Sequence, residues 1–231
     1  MNHSESFSGL QARGLFVTGT DTGVGKTAVT AALAQRCQKE MPRVAALKPI
    51  VSGVEAHGQW TDVEILRAAS TPPRSFAETC LYALDLPITP HWAAAQAGLL
   101  IDRQQIQQFI MTQSVGMDAV LVEGAGGFLV PLGEDWGFAE LALDLRFPVL
   151  LVVGLRLGAI NHALLSVEAI LARGLPMAGW VANHLHPDLA PGTLETLHRR
   201  MPIPCLGEIP FQAEASSAWR SQFLSLPACW Y

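Results

Sequence analysis

Several stretches of this chain end apolar runs in residues that can handle phosphate and metal. Residues 15 to 27 read Leu-Phe-Val-Thr-Gly-Thr-Asp-Thr-Gly-Val-Gly-Lys-Thr, a strand-like run entering a glycine-rich turn. In such a turn backbone N–H groups close around phosphate oxygens, a lysine reaches the terminal phosphates, and a Ser/Thr hydroxyl suits a magnesium ion at the head of a helix. Thr22, Gly23, Val24 and Gly25 are therefore read as a phosphate cradle, Lys26 as its cation and Thr27 as its metal-side hydroxyl. The loop is a variant, because the position of the usual first glycine is Thr20, with Gly19 one residue earlier. The apolar run before it and the Ala-rich segment Ala28 to Cys37 behind it supply the strand-to-helix context the chemistry needs.

The run Ala46 to Gly53 ends in Lys48 and continues through Pro49 to Ser52. A lysine at a strand's carboxyl end can set its ammonium beside phosphate charge as that charge develops. Alone it would pass for a solvated surface lysine; its place one crossover after the phosphate loop favours the site. Ser52 is a candidate substrate contact, although isolated turn serines are usually structural. In Val120 to Gly127 an apolar run delivers Glu123 and then Gly124, Ala125 and Gly126. A carboxylate there calls for a cation, and magnesium is the natural one beside a triphosphate. Asp62 is a second metal candidate and equally a helix cap after Thr61. Gly154 to His162 reads as a strand, a turn and a helix start, either a second anion site suited to a carboxylate or a plain connection. His184 and His186 lack a third ligand and read as loop residues.

The elements that must position these residues alternate strand and helix, the pattern of a parallel sheet with crossover helices. Strands are expected at Leu15 to Thr18, Val44 to Leu47, Ala119 to Val122, Val149 to Val153 and Gly179 to Ala182. Helices are expected at Lys26 to Gln38, Asp62 to Ala69, Arg103 to Gln113, Phe138 to Leu145 and Ala159 to Arg173, the last stopped by Gly174. Thr71 to Gly98, with four prolines, reads as irregular or lid-like. The expectation is one three-layer α/β domain of P-loop NTPase type over residues 14–231, after a loose tail at residues 1–13. Open parallel sheets take ligands outside the carboxyl ends of their strands, where all these candidates fall.

Half of the 231 residues are hydrophobic and the net charge is −5 with no basic run, which argues against nucleic acid and anionic membranes as partners. The apolar stretch Pro148 to Gly154 is too short to span a bilayer and reads as a buried strand. Four scattered cysteines and an N-terminus without a signal pattern suit a reducing cytoplasm.

Taken in order, Val17 to Thr27, Lys48-Pro-Ile-Val-Ser-Gly53, Pro90-His91, Val122-Glu-Gly-Ala-Gly-Gly127, Gly154-Leu-Arg-Leu-Gly-Ala-Ile-Asn-His162, Gly179-Trp-Val-Ala-Asn183 and Gly207-Glu-Ile-Pro210 resemble the dethiobiotin synthetase family from about residue 14 to about residue 214. The resemblance implies a homodimeric, magnesium- and ATP-dependent cyclo-ligase acting on 7,8-diaminononanoate and carbon dioxide, with the active site shared between subunits. Carried over by position, Lys26 and Lys48 would stabilise phosphoryl transfer, and Thr27, Asp62 and Glu123 would hold magnesium. Thr22 and Ser52 would contact the diamine or its carbamate, and Leu157, Gly158 and Asn161 of the second subunit its carboxylate end. Asn183 would read adenine beside Pro210, and the turn Glu123 to Gly126 would lie along nucleotide and diamine. Gly23 departs from the family, several of whose members carry a glutamate there, and the segment Phe211 to Tyr231 matches only weakly.

Three other readings share parts of this pattern. A partitioning or septum-placement ATPase would carry a signature lysine where Asp21 stands, together with a C-terminal basic amphipathic helix. A non-catalytic nucleotide-binding scaffold would have no need of Lys26, Lys48, Asp62 and Glu123 together. A cobyrinate-type amide synthase usually adds a glutamine-hydrolysing domain, for which this chain lacks room.

Overall fold

The computed structural model describes residues 12–55 and 58–231. The loose tail expected before residue 14 lies outside the described residues, apart from Ala12 and Arg13. Arg13 already belongs to the first strand, β1 (Arg13–Gly19).

Among the described residues, six strands form one all-parallel sheet. They are β2 (Val44–Leu47), β5 (Ala119–Gly127), β1, β6 (Val149–Leu155), β7 (Met177–His184) and β8 (Cys205–Ile209), in that spatial order. β3 (Ile50–Ser52) and β4 (Tyr82–Leu84) make a separate parallel pair. The sheet is buried on both faces, and the alternation of side chains sorts its residues: Leu15 and Val17 of β1 join one core and Phe16 the other. The first core is closed by α1 (Lys26–Cys37), α2 (Thr61–Ala69) and Trp219 of α9 (Ser217–Ser221). The second is closed by α4 (Pro90–Gln96), α5 (Arg103–Ser114) and α6 (Phe138–Leu145). α7 (Ala159–Leu171) and α8 (Thr193–Arg200) cover β6 and β7. Fully buried Phe16 and Phe138 meet with centroids 6.4 Å apart, and each such side chain contributes about 1.5–3 kcal/mol by leaving water.

The five expected strands and five expected helices are present, with ends shifted by a few residues. β5 is the largest departure: it continues past Val122 to Gly127, so Glu123 lies inside the strand, in register with Val17 of β1. The segment from Thr71 to Gly98 is more regular than expected, since it holds α3 (Phe76–Thr79), β4 and α4. Asp62 is not a helix cap. α2 begins at Thr61, its cap residue is Trp60, and the Thr61 hydroxyl donates to Glu55 at 2.7 Å.

β1 lies between β5 and β6, yet the chain leaves it for β2 at the sheet edge. The connections on the two sides of β1 therefore diverge and leave a crevice over its carboxyl end. Into that crevice the sheet delivers the phosphate loop, Lys48 after β2, Glu123 on β5 and Asn183 on β7.

Candidate active site

Two local features set the phosphate loop. Gly25 caps α1 in the left-handed region at φ 87° and provides no side-chain cap, so the first N–H groups of the helix are left for an anion. A Cβ at Gly25 would stand 2.2 Å from Asn183 Nδ2, so this position needs glycine for space as well as conformation. Asn183, buried on β7, donates from Nδ2 to the Val24 carbonyl at 2.9 Å and ties the loop to the sheet. Val24 turns its fully buried side chain into the core, leaving its backbone for the loop.

Behind the loop a charged cluster is assembled from four elements. Lys48 Nζ donates to Asp62 Oδ2 and to Glu123 Oε1, each at 2.7 Å. The Thr27 hydroxyl donates to the same Glu123 oxygen at 2.7 Å. Glu123 is fully buried, and its Oε2 has no hydrogen-bond partner among the described residues. A buried carboxylate oxygen left unsatisfied beside a phosphate loop marks the place of a missing cation or donor. The set of one hydroxyl and two carboxylates fits a hard divalent ion such as magnesium, which takes one or two carboxylates and fills its shell with phosphate oxygens and water. No group of three or more His, Cys, Asp or Glu side chains among the described residues forms an all-protein cage.

The electrostatics of the cluster follow from burial and pairing. Burial and then the Lys48 charge push the Lys26 pKa down to about 8. Burial also opposes the charge on Lys48, but Glu123 and Asp62 outweigh it and hold its pKa above the ordinary lysine value. Burial would raise Asp62, yet its attraction to Lys48 leaves the carboxyl below the usual range. Lys26 Nζ donates to the Asp21 carbonyl at 2.8 Å.

Lys26, Thr27, Lys48 and Asp62 border a cleft of about 640 Å³, while the fully buried Glu123 lies behind them and does not line it. Its polar end is lined by Thr22, Gly23, Gly25, Lys26, Thr27, Lys48, Ser52 and Asp62, with Ala125 and Gly126 from the end of β5. Its other wall is apolar, made by Val51, Ile65, Val130 and the segment Pro87, Ile88, Thr89 and Pro90. Pro87 to Pro90 belong to the stretch Thr71 to Gly98 that its prolines mark as irregular or lid-like, but their place as an apolar wall of the cleft was not foreseen. Gly124 is buried against Phe138 and Phe16 rather than open to the cleft. Leu157, Gly158 and Asn161 are exposed, Leu157 by 94%, and do not line the cleft. Asn183 lies beneath the phosphate loop, paired in register with Ile209 of β8, and exposed Pro210 follows that strand. The residues with no foreseen role at the loop are Asp21 and Arg156, which form an ion pair across it. His184 Nε2 is hydrogen-bonded to Glu208 Oε1 at 2.8 Å.

Fold and loop together define an α/β protein of the P-loop NTPase class. A ParA family ATPase from Chlorobium tepidum superposes with a TM-score of 0.56 at 14% identity, over 92% of this chain and 90% of that one. The septum site-determining protein MinD with Mg-ADP from Pyrococcus horikoshii superposes with a TM-score of 0.56 at 15% identity, over 91% and 93%. At such identities the likeness concerns the fold. A family profile described as an AAA domain matches residues 13–218. Sequence relatives are much nearer. The ATP-dependent dethiobiotin synthetase BioD of Aromatoleum aromaticum is 43% identical over 222 residues, 94% of this chain and 99% of the relative. That of Nitrosospira multiformis is 44% identical over 216 residues, 93% and 95%. This chain belongs to the ATP-dependent dethiobiotin synthetase family.

Proposed function

We propose that this protein is a Mg-ATP-dependent cyclo-ligase that closes the ureido ring of dethiobiotin from 7,8-diaminononanoate and carbon dioxide, releasing ADP and phosphate. The observation that carries the reading is the buried Glu123 carboxylate, on which Lys48 and Thr27 converge while its second oxygen has no hydrogen-bond partner among the described residues. A single domain over residues 14–231 does this work as a cytoplasmic homodimer, with Leu157, Gly158 and Asn161 reaching the partner's site.

One amine of the diamine takes up carbon dioxide and loses a proton to become a carbamate. A carbamate oxygen attacks the γ-phosphorus and ADP departs; the second amine then attacks the activated carbonyl and phosphate departs with the former carbamate oxygen. The nucleophiles belong to the substrate, so the protein has to position groups and stabilise charge. The phosphate loop from Thr22 to Gly25 holds the phosphates on backbone N–H groups. Lys26 meets the phosphates, and Lys48 meets the transferring phosphoryl and the carbamate, where its charge is worth most as negative charge develops. Thr27, Asp62 and Glu123 would hold magnesium, which when bound neutralises phosphate charge. Thr22, Ser52, and Ala125 and Gly126 at the end of β5 orient the diamine and its carbamate. Val51, Ile65 and Ile88 offer its alkyl chain an apolar wall. Asn183 reads the adenine edge and Pro210 flanks the base.

Phosphate release from Mg-ATP, measured with and without the diamine and bicarbonate while dethiobiotin is followed by mass spectrometry, tests the reading. Diamine-dependent release matching product one for one is expected. Release that ignores the diamine would replace the ligase with a nucleotide switch.

A further inference from the structure

Asp21 joins three parts of the site. Its Oδ1 accepts from the Thr22 backbone N–H at 2.7 Å, its carbonyl accepts from Lys26 Nζ at 2.8 Å, and its carboxylate is ion-paired with the Arg156 guanidinium. Arg156 lies far along the chain, in the turn between β6 and α7, directly before Leu157 and Gly158. A carboxylate within the loop that must take a polyanion is unfavourable by itself: it repels phosphate and competes for the loop's N–H groups. Arg156 removes that charge from the loop's outer side and pins the residue whose backbone sets the neighbouring Thr22 and Lys26.

We propose that Arg156 is a positioning residue for the nucleotide: by neutralising and holding Asp21 it fixes the phosphate loop in the geometry that receives a triphosphate. The proposal rests on the nucleotide site in the reading above and not on which amine is carboxylated. The same ion pair links the loop to the turn that opens α7.

The test measures Mg-ATP affinity directly by calorimetry, with kcat and KM alongside, for R156A, R156K, D21N and the double variant R156A/D21N. The two side chains are 39% and 47% exposed. R156A is therefore expected to weaken ATP about fivefold, the upper end for a pair of this exposure, with kcat at saturating ATP within about twofold of the parent. R156K keeps the charge and should recover most of the affinity. The double variant should also recover it, because Asn retains an Oδ1 acceptor for Thr22 and carries no charge for Arg156 to cancel. Unchanged affinity in R156A, or a double variant as weak as R156A, overturns the proposal. So does equal loss of kcat, affinity and thermal midpoint in every variant, which is the signature of a purely structural contact. If R156A does not fold, R156Q, which keeps much of the side chain without its charge, takes its place with the same expected loss, and parent-like affinity in R156Q overturns the proposal. If the parent binds ATP but shows no diamine-dependent turnover, the ligase reading fails while the affinity comparison stands.

Discussion

Replacing Lys48 by Met removes the ammonium from the centre of the charged cluster while keeping most of its length. Lys48 is 3% exposed and sits 2.7 Å from each of two carboxylates, one of which, Glu123, is completely buried. In K48M the Glu123 carboxylate keeps the Thr27 hydroxyl and loses its cation. Breaking a buried pair from one side costs about 3–5 kcal/mol, because the remaining charge stays desolvated. The Asp62 arm, whose side chain is 44% exposed, adds at most about 1 kcal/mol. At about 2–4 °C per kcal/mol for a chain of this size, the buried pair alone predicts a midpoint lowered by about 6–20 °C in magnesium-free buffer. Added magnesium should raise the midpoint of the variant more than that of the parent, since a divalent cation can answer the carboxylates that lost the ammonium. Turnover should drop about 10²- to 10³-fold while ATP binding is largely retained. Calorimetric melts with and without magnesium, together with a steady-state assay, test all of this. An unchanged midpoint would refute the account of a buried ion pair, as would equal stabilisation of both proteins by magnesium. Equal loss of ATP affinity and turnover would refute the role of Lys48 at phosphoryl transfer.

Gly25→Ala should lower ATP affinity by more than about tenfold and destabilise the chain by more than about 1 kcal/mol, since the position has φ 87° and its Cβ would stand 2.2 Å from Asn183 Nδ2; a calorimetric titration and a melt report both, and parent-like values would contradict the packing argument. Lys26, pushed down to about 8, carries its charge below that pH and loses it above, so the Kd for ATP should rise by up to about tenfold per unit beyond pH 8. A flat profile to pH 10 would argue against the desolvated lysine. Burial raises the thiol pKa values of Cys37 and Cys80 to about 12, so a thiol reagent at pH 8 should label exposed Cys229 in the native protein and reach those two only on unfolding.

The local part of the fold was legible from the residues. β2 and α6 begin and end where the apolar pattern begins and ends, and α1 starts at Lys26 because Gly25 is free to take a positive φ before a run of good helix formers. Three-residue β3 and β4 were not legible, because strands so short carry no usable period. β8, reading Cys-Leu-Gly-Glu-Ile, has a polar interruption and a glycine and is held by its pairing with β7. Asp62 was open between a cap and a ligand; the helix start and the contact with Lys48 place it in the cluster.

By itself the sequence determined which residue types stand at strand ends: a glycine turn with Lys26 and Thr27, a lysine after β2, a carboxylate on β5. These are local properties, fixed by φ freedom, burial of apolar runs and the strand-to-helix alternation. Only the tertiary structure decided that Lys48 and Glu123, 75 residues apart, share a 2.7 Å contact. That contact exists because β2 pairs beside β5 and brings their carboxyl ends level. The same holds for the apolar wall at Pro87 to Pro90 and for the Asp21–Arg156 pair, separated by 135 residues. Both depend on which strands lie side by side, and that is set by the packing of whole elements, which no local stretch of sequence encodes.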